Sequence, residues 1–117
     1  MLDVSTIHPF QACAAFAVRW LTLLAGYDLA QAESLLDGND SGAPLAVSFP
    51  PPEGFTYCHP DEARNWTMHI VAAGRDGLDL HFEVPFAERE FRPMLARFHL
   101  RRRGDHLEVR FEALVPS

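Results

Sequence analysis

The stretch GFTYCHPDEARNWTMH, residues 54–69, brings a thiol, imidazoles and carboxylates into one short segment. Nucleophilic cysteine–histidine pairs usually join distant parts of a chain. Cys58 and His59 are instead adjacent, and the side chains of adjacent residues rarely converge. Zinc-site spacings such as CxxC or HxxxH do not occur in the sequence. We therefore predict a turn followed by a short helix over residues 60–65, with Pro60 in the first position. The alternative is a pocket with these residues at its mouth: Tyr57, Cys58, His59, Asp61 and Trp66.

Three further histidines, His69, His81 and His99, fall on the polar face of neighbouring predicted strands. In one register of these strands, His81 lies opposite His99, and His69 lies opposite Glu83. Three imidazoles and one carboxylate are ligands that suit zinc. The competing interpretation is a solvated face of mixed charge on which histidines pair with acidic neighbours. We favour the second interpretation, so the sequence implies no metal and no cofactor.

The composition argues against several classes of protein. All ten basic residues are arginines, which excludes a Schiff-base lysine and a lysine-bearing phosphate loop. The net charge of −6 argues against nucleic acid as a partner. The nearly apolar run over residues 12–27 is interrupted by Arg19 and is too short to span a bilayer. Because no basic region precedes an apolar stretch at the start, we expect a cytoplasmic protein with Cys13 and Cys58 as free thiols.

Residues 7–27 have apolar side chains at three- and four-residue spacing, which predicts a long helix with Pro9 in its first turn. The helix is apolar over more than half of its circumference, more than one contact with a sheet requires. Either the rest of the chain or a second subunit is therefore expected to cover it. Asp28 is a suitable N-cap for a second, short helix, and Gly38 is placed to end that helix.

Strict alternation of apolar and polar residues predicts four antiparallel strands between residues 66 and 115. The side chains predicted to face the core are Trp66, Met68, Ile70, Ala72, Leu78, Leu80, Phe82, Val84, Met94, Ala96, Phe98, Leu100, Leu107, Val109, Phe111 and Ala113. This face contains no aspartate, glutamate or histidine, and general acid–base catalysis requires a positioned titratable group. The sequence therefore favours a protein that is not an enzyme.

Two tight turns predict how these strands pair. A three-residue loop at residues 75–77 pairs Ile70 with Phe82. A two-residue type II′ turn at residues 104–105 sets the register of the last hairpin. The pairs predicted in that hairpin are Arg101–Glu108, Leu100–Val109, His99–Arg110, Phe98–Phe111 and Arg97–Glu112. Turn chemistry and charge pairing select the same register there, and such agreement between levels favours it.

These patterns predict an α+β fold, in which a long helix and a short helix pack on one face of a four-stranded antiparallel meander. Residues 45–49 are a candidate fifth strand at the edge of the sheet. The chain is predicted to be a single domain over residues 1–117, with a helical part (1–37), a Pro/Gly-rich connector (38–59), a short helical turn (60–65) and the meander (66–115).

The segment WLTLLAGYDLAQAESLLD, residues 20–37, resembles the opening of NTF2-like (cystatin-like α+β) proteins. In that family a long helix and a short helix precede a curved antiparallel sheet. The resemblance covers about 30 residues and the order of helices before strands. It implies a pocket between helix and sheet, frequent dimerisation, and functions that range from small-molecule enzymes to binding modules.

The function that the sequence favours is that of a small, non-catalytic module that binds another protein, in the manner of immunity or adaptor proteins. The partner is a protein or a second copy of the chain, and neither nucleic acid nor membrane is expected. The acidic charge would steer association with a basic partner. The alternative is an NTF2-like binder or enzyme for a small molecule, with its pocket near Tyr57, His59 and Asp61.

Overall fold

The computed structural model describes residues 1–51, 68–84 and 94–116. The helices are α1 (Pro9–Ala25), α2 (Leu29–Ser34) and α3 (Leu45–Ser48). The strands are β1 (Leu2–Asp3), β2 (Gly38–Asn39), β3 (Met68–Ala72), β4 (Gly77–Val84), β5 (Met94–Arg103) and β6 (His106–Pro116). Strands pair in the order β1-β6-β5-β4-β3, all antiparallel, and β2 pairs in parallel with β6. The α+β architecture is confirmed, although the described strands number six rather than four or five.

The N-termini of α1 and α2 lie where their sequences predict them. Pro9 occupies the first turn of α1, as predicted, and the His8 side chain caps the helix by accepting a hydrogen bond at Nδ1 from the Phe10 N–H, at 3.1 Å. Asp28 caps α2, as predicted, because its Oδ1 accepts from the Gln31 N–H at 3.2 Å. The His8 cap thus marks the start of α1, and the Asp28 cap marks the start of α2.

The centre of the core is Trp20, which projects from α1 onto the apolar face of the sheet and is fully buried. Its indole ring contacts four phenylalanine rings with centroid separations of 5.2–6.2 Å: Phe49, Phe82, Phe98 and Phe111. The alternation predicted for the strands is confirmed at nine buried positions: Leu80, Phe82, Val84, Ala96, Phe98, Leu100, Leu107, Val109 and Phe111. Aromatic packing therefore fills the space between helix and sheet at this level.

The prediction that Gly38 ends the second helix is wrong. Helix α2 ends at Ser34, and Gly38 lies in β2, opposite Arg110 of β6. A Cβ atom at this position would lie 2.5 Å from the Arg110 Cζ atom, so a larger residue would displace the Arg110 guanidinium, which packs against the glycine. The preceding residue, Asp37, also contacts β6, since its Oδ2 accepts a hydrogen bond from the Val109 N–H at 2.7 Å.

Residues 45–49 form a single helical turn, not the edge strand considered from the sequence. The Phe49 N–H donates to the Leu45 carbonyl oxygen at 2.7 Å, and Glu33 Oε2 accepts from the Leu45 N–H at 3.2 Å. The Glu33 carboxylate thus satisfies a donor at the start of the turn, where a helix leaves its first N–H groups without internal partners. This turn delivers Phe49 into the core beside the indole ring of α1.

The register predicted for β3 and β4 is wrong by two residues, because Ile70 lies opposite Leu80 rather than Phe82. The loop comprises residues 74–76, and Gly74 supplies its left-handed conformation with φ of 103°. Gly77 has a different role, since a Cβ atom there would lie 2.9 Å from the Ala73 carbonyl oxygen. A shift of two residues keeps every side chain on the same face, so the burial pattern is unchanged.

The register predicted for β5 and β6 is confirmed from the turn as far as Phe98 opposite Phe111. Gly104 has φ of 61° and Asp105 has no positive φ, which fits the predicted type II′ turn. Beyond this point the pairing shifts, and Arg97 lies opposite Ala113 rather than Glu112. Glu112 is thus the extra residue of a β-bulge, and Ala113 shares the outer face with Arg97 instead of facing the core.

Candidate functional site

The five pocket-mouth candidates of the sequence, Tyr57, Cys58, His59, Asp61 and Trp66, lie outside the described residues. The same holds for the short helix predicted over residues 60–65. Both interpretations of this segment remain predictions. The candidate sites that follow are therefore built from the described residues alone.

The histidines that suggested a zinc site are placed differently from the register assumed for them. His69 lies opposite His81, and His99 lies opposite Asp79, because both pairings of β4 are shifted by two residues. Glu83 lies two residues beyond His81 on the same strand. Within the described part of the chain, the group of potential ligands whose donor atoms converge contains His99 but none of the other three.

That group consists of Asp79 on β4, His99 on β5 and Glu112 on β6, all half-buried on the outer face of the sheet. One donor atom of each lies within 4.8 Å of the others. His99 Nδ1 and Asp79 Oδ1 are 2.8 Å apart, a hydrogen-bond distance. Three adjacent strands therefore present an imidazole and two carboxylates to one point in space.

Arg110, the cross-strand neighbour of His99, is held by two acidic partners. Its Nε and Nη2 atoms donate to both oxygens of Asp40 at 2.7–3.1 Å, and its Nη1 lies 3.7 Å from Glu108 Oε1. The hydrogen bonds from this guanidinium lower the pKa of the Asp40 carboxyl, and they raise the pKa of Arg110 in turn. The pair therefore ties the loop after β2 to the sheet.

The opposite side of the molecule carries an apolar groove of about 450 Å³, bounded by β1, α1 and α2. The residues that line it are Met1, Leu2, Asp3, Ile7, Ala12, Ala15, Phe16, Arg19, Ser34 and Leu35. Met1 is 58% exposed and Ile7 is 42% exposed, although both are large and apolar. We call this surface the helical groove.

A second cavity, of about 270 Å³, lies between the first turn of α1 and the end of the β3–β4 hairpin. Its apolar walls include Phe10, Leu78 and Leu107, and its charged rim includes Arg75 and Arg102. This cavity lies between a helix and the sheet. The resemblance to NTF2-like proteins predicts a pocket in such a position.

Comparison of the chain with protein-family models, with curated proteins and with solved structures gives no match in any of the three. The class that the structure itself defines is a mixed α+β protein with an antiparallel sheet. Among the described helices, none is both long and apolar enough to cross a bilayer.

Sequence reasoning missed both the helical groove and the Asp79–His99–Glu112 group. The helical groove joins residues from β1, α1 and α2, and no short motif marks such a combination. The signal for the Asp79–His99–Glu112 group was present in the alternation, which assigns all three to the outer face. Finding it required the correct register of β4 against β5 and the bulge at Glu112.

Proposed function

We propose that this protein is a non-catalytic module of the cytoplasm that binds a basic protein partner through the helical groove. The observation that carries the proposal is the groove itself, an apolar depression of about 450 Å³. No polar or charged residue is buried within the described residues, so the core offers no acid or base for catalysis there. These observations favour binding at the surface over catalysis in the described core.

The apolar side chains at the groove are unusual in their grouping rather than in their number. Single exposed apolar residues are normal on a protein surface, but contiguous ones rimmed by polar groups mark interaction sites. Met1 and Ile7 stand at the groove, with Asp3, Arg19 and Ser34 among the polar residues that line it. Full burial of one large apolar side chain contributes about 1.5–3 kcal/mol. Because Met1 and Ile7 are already about half-buried, covering the exposed remainder of both contributes about 1.5–3 kcal/mol together.

The charge of the helical part indicates the chemistry of the partner. Residues 1–51 contain five acidic residues and one arginine, whereas the described strand segments, 68–84 and 94–116, contain six of each. Of these five acidic residues, Asp3 lines the groove, beside Arg19, whereas Asp40 is paired with Arg110. The whole chain carries a net charge of −6, and this acidic surplus is the ground for a basic partner. Such a surplus steers and orients a basic partner and repels an acidic one.

The proposed occupant is a basic segment of another protein that inserts an aliphatic or aromatic side chain between Ile7 and Ala15. The volume of the groove, about 450 Å³, falls within the range of about 300–1,000 Å³ that is typical of ligand sites. A second copy of the chain fits less well, because each copy carries a net charge of −6. Dimerisation through the groove is nevertheless a distinguishable outcome of the experiment below.

The experiment is affinity capture from a lysate of the source cells, with mass spectrometry of the retained proteins. Ala15→Arg fills the groove with a long cationic side chain, and Ala30→Arg places the same change on an exposed position of α2 outside it. Ile7→Ser removes an apolar side chain at the groove, and Val47→Ser removes one that is 69% exposed elsewhere. Arginine is a good helix former, so Ala15→Arg is expected to fold.

The proposal expects a basic protein that is retained by the wild type and by both controls, and that is lost with Ala15→Arg and reduced with Ile7→Ser. Retention should also weaken as salt is raised, because exposed charges are screened. Equal retention by Ala15→Arg and Ala30→Arg would contradict the proposal. A dimer that dissociates only in Ala15→Arg, detected by analytical ultracentrifugation, would instead assign the groove to a second copy.

A second candidate function is small-molecule binding in the cavity of about 270 Å³ between α1 and the β3–β4 hairpin. Arg75 and Arg102 at its rim would suit a small carboxylate or phosphate, since arginine recognises both groups well. A thermal-shift screen with small organic anions tests it. A stabilisation that Arg75→Gln abolishes would support this function, and the absence of any stabilisation would count against it.

A further inference from the structure

We propose that Asp79, His99 and Glu112 form a binding site for a divalent transition-metal ion, with Zn²⁺ as the best match. The site is independent of the helical groove, because it lies on the outer face of the sheet. It also differs from the set suggested by the histidine pattern, since it shares only His99 with that set. The geometry that points to it is the convergence of the three donor atoms within 4.8 Å.

The β-bulge in β6 is what brings the third ligand into place. Phe98 pairs with Phe111, but Arg97 pairs with Ala113, so Glu112 is the additional residue between these pairs. Bulges bend a strand and re-aim a side chain, and they occur often beside functional sites. In a regular ladder Glu112 would stand directly opposite Arg97, where the two charges would form an ordinary cross-strand pair.

The imidazole of His99 is positioned from two sides. Its Nδ1 atom is hydrogen-bonded to Asp79 Oδ1 at 2.8 Å. Its Cε1 atom lies against Gly77, where an added Cβ would approach it to 3.2 Å. The glycine thus leaves room for the ring beside the end of the hairpin. The ring is thus held beside Asp79 before a metal ion binds, and a metal ion at Nδ1 would take the place of the shared proton in this hydrogen bond.

The donor set suits zinc. Histidine nitrogen and carboxylate oxygen bind Zn²⁺ at about 2.0–2.2 Å, which places tetrahedral donors about 3.3 Å apart. To reach this spacing, His99 Nδ1 and Asp79 Oδ1, which are 2.8 Å apart, would separate slightly, and Glu112, whose donor atom lies within 4.8 Å of the others, would adjust by side-chain rotation. Three protein ligands leave a fourth position for water, and His99 borders an open depression of about 310 Å³ beside Arg75 and Arg101.

The charges around the group permit a cation. Two carboxylates with one neutral imidazole offset the charge of a divalent ion. Arg110, the cross-strand neighbour of His99, is bound by Asp40 and Glu108 and so turned to other partners. Arg97 lies closer and forms an ion pair with Glu112, with its Nη2 3.9 Å from Oε2, so a metal ion would compete with this guanidinium for one of the Glu112 oxygens.

The test is titration calorimetry of the untagged protein with Zn²⁺ alone, supported by the visible absorption of Co²⁺ in the same site. Glu112→Gln removes the charge of one ligand with little change of shape, and His99→Ala removes the imidazole. The matched control is His81→Ala, which removes a histidine from the same face of the neighbouring strand. Circular dichroism establishes that each variant is folded.

The expected result is one Zn²⁺ per chain, with affinity at least about tenfold lower in Glu112→Gln and in His99→Ala, and unchanged in His81→Ala. Loss of a residue that only hydrogen-bonds to a metal ligand typically lowers the metal affinity about 10–100-fold, so loss of a ligand itself should lower it at least as much. Absence of zinc binding by the wild type would overturn the proposal. So would binding that survives in Glu112→Gln, or that His81→Ala weakens as strongly as His99→Ala does.

Discussion

Truncation of Trp20 tests the organisation of the core. The side chain is completely buried and contacts four phenylalanine rings, one from α3's end and three from the sheet. A buried aromatic side chain removes about 150–250 Å² from water, which at about 25 cal/mol per Å² corresponds to about 4–6 kcal/mol. Measured truncations of buried tryptophan to alanine cost about 3–5 kcal/mol. We expect Trp20→Ala to lose about 4 kcal/mol of the free energy of unfolding.

Replacement of Trp20 by phenylalanine should behave quite differently. The indole Nε1–H is buried, and it has no hydrogen-bond partner in the part of the chain that the structure describes. A buried donor without a partner costs about 1–3 kcal/mol, and Trp20→Phe removes that cost. The lost ring area and the small void work in the opposite direction by a similar amount. We therefore expect Trp20→Phe to lie within about 1 kcal/mol of the wild type.

The assay is equilibrium unfolding in urea, followed by far-ultraviolet circular dichroism because the substitutions alter the tryptophan fluorescence. The slopes of the unfolding curves must agree between variants for the free energies to be compared. If Trp20→Phe is as destabilising as Trp20→Ala, the indole N–H makes a hydrogen bond that this reasoning omits. If Trp20→Ala costs less than about 1 kcal/mol, the ring cluster is not the centre of the core.

Three further outcomes are expected. Gly77→Ala should destabilise by about 1–3 kcal/mol, because the new methyl group would meet a backbone oxygen at 2.9 Å; unchanged stability in urea would contradict the hairpin geometry. Burial raises the pKa of the Cys13 thiol to about 11. In a Cys58→Ser variant, the remaining thiol should therefore resist an aromatic disulfide reagent at pH 8 until urea is added. Fast labelling without urea would disprove the burial of Cys13. Arg110 lowers the pKa of Asp40, so their pairing stabilises above the unfolded carboxyl pKa of about 3.9 and is lost as pH falls through the lower folded value. The melting temperature of Asp40→Asn should therefore lie below that of the wild type at pH 6 and approach it at pH 3, and a constant difference would contradict this assignment.

The alternation of the strands was predictable because it depends on burial alone. Every second residue must face the core, so the sequence identifies Leu80, Phe82 and Phe98 as internal whatever their partners are. The register of β3 was not predictable in the same way. Loops at residues 74–76 and 75–77 each include a glycine, and they give registers that differ by two residues and bury the same side chains.

The site depends on features that leave weaker marks in the sequence. The bulge at Glu112 shifts the strand pairing by one residue without any glycine or proline in the sequence to indicate it, and it places Glu112 near His99 as well as near Arg97. The two-residue strand at Gly38 is held by backbone bonds to β6, about seventy residues away in the chain. Contacts between distant segments of this kind follow from the folded geometry rather than from local propensity.

The central claim is that the helical groove is the surface through which this protein binds its partner. The most direct measurement is crosslinking in the source cells with a photoreactive phenylalanine analogue at position 15 in the groove, and at position 30 on α2 as the matched control. The account predicts a crosslink to one basic protein from position 15 and none to that protein from position 30. No crosslinked protein at position 15, or the same protein from both positions, would contradict it.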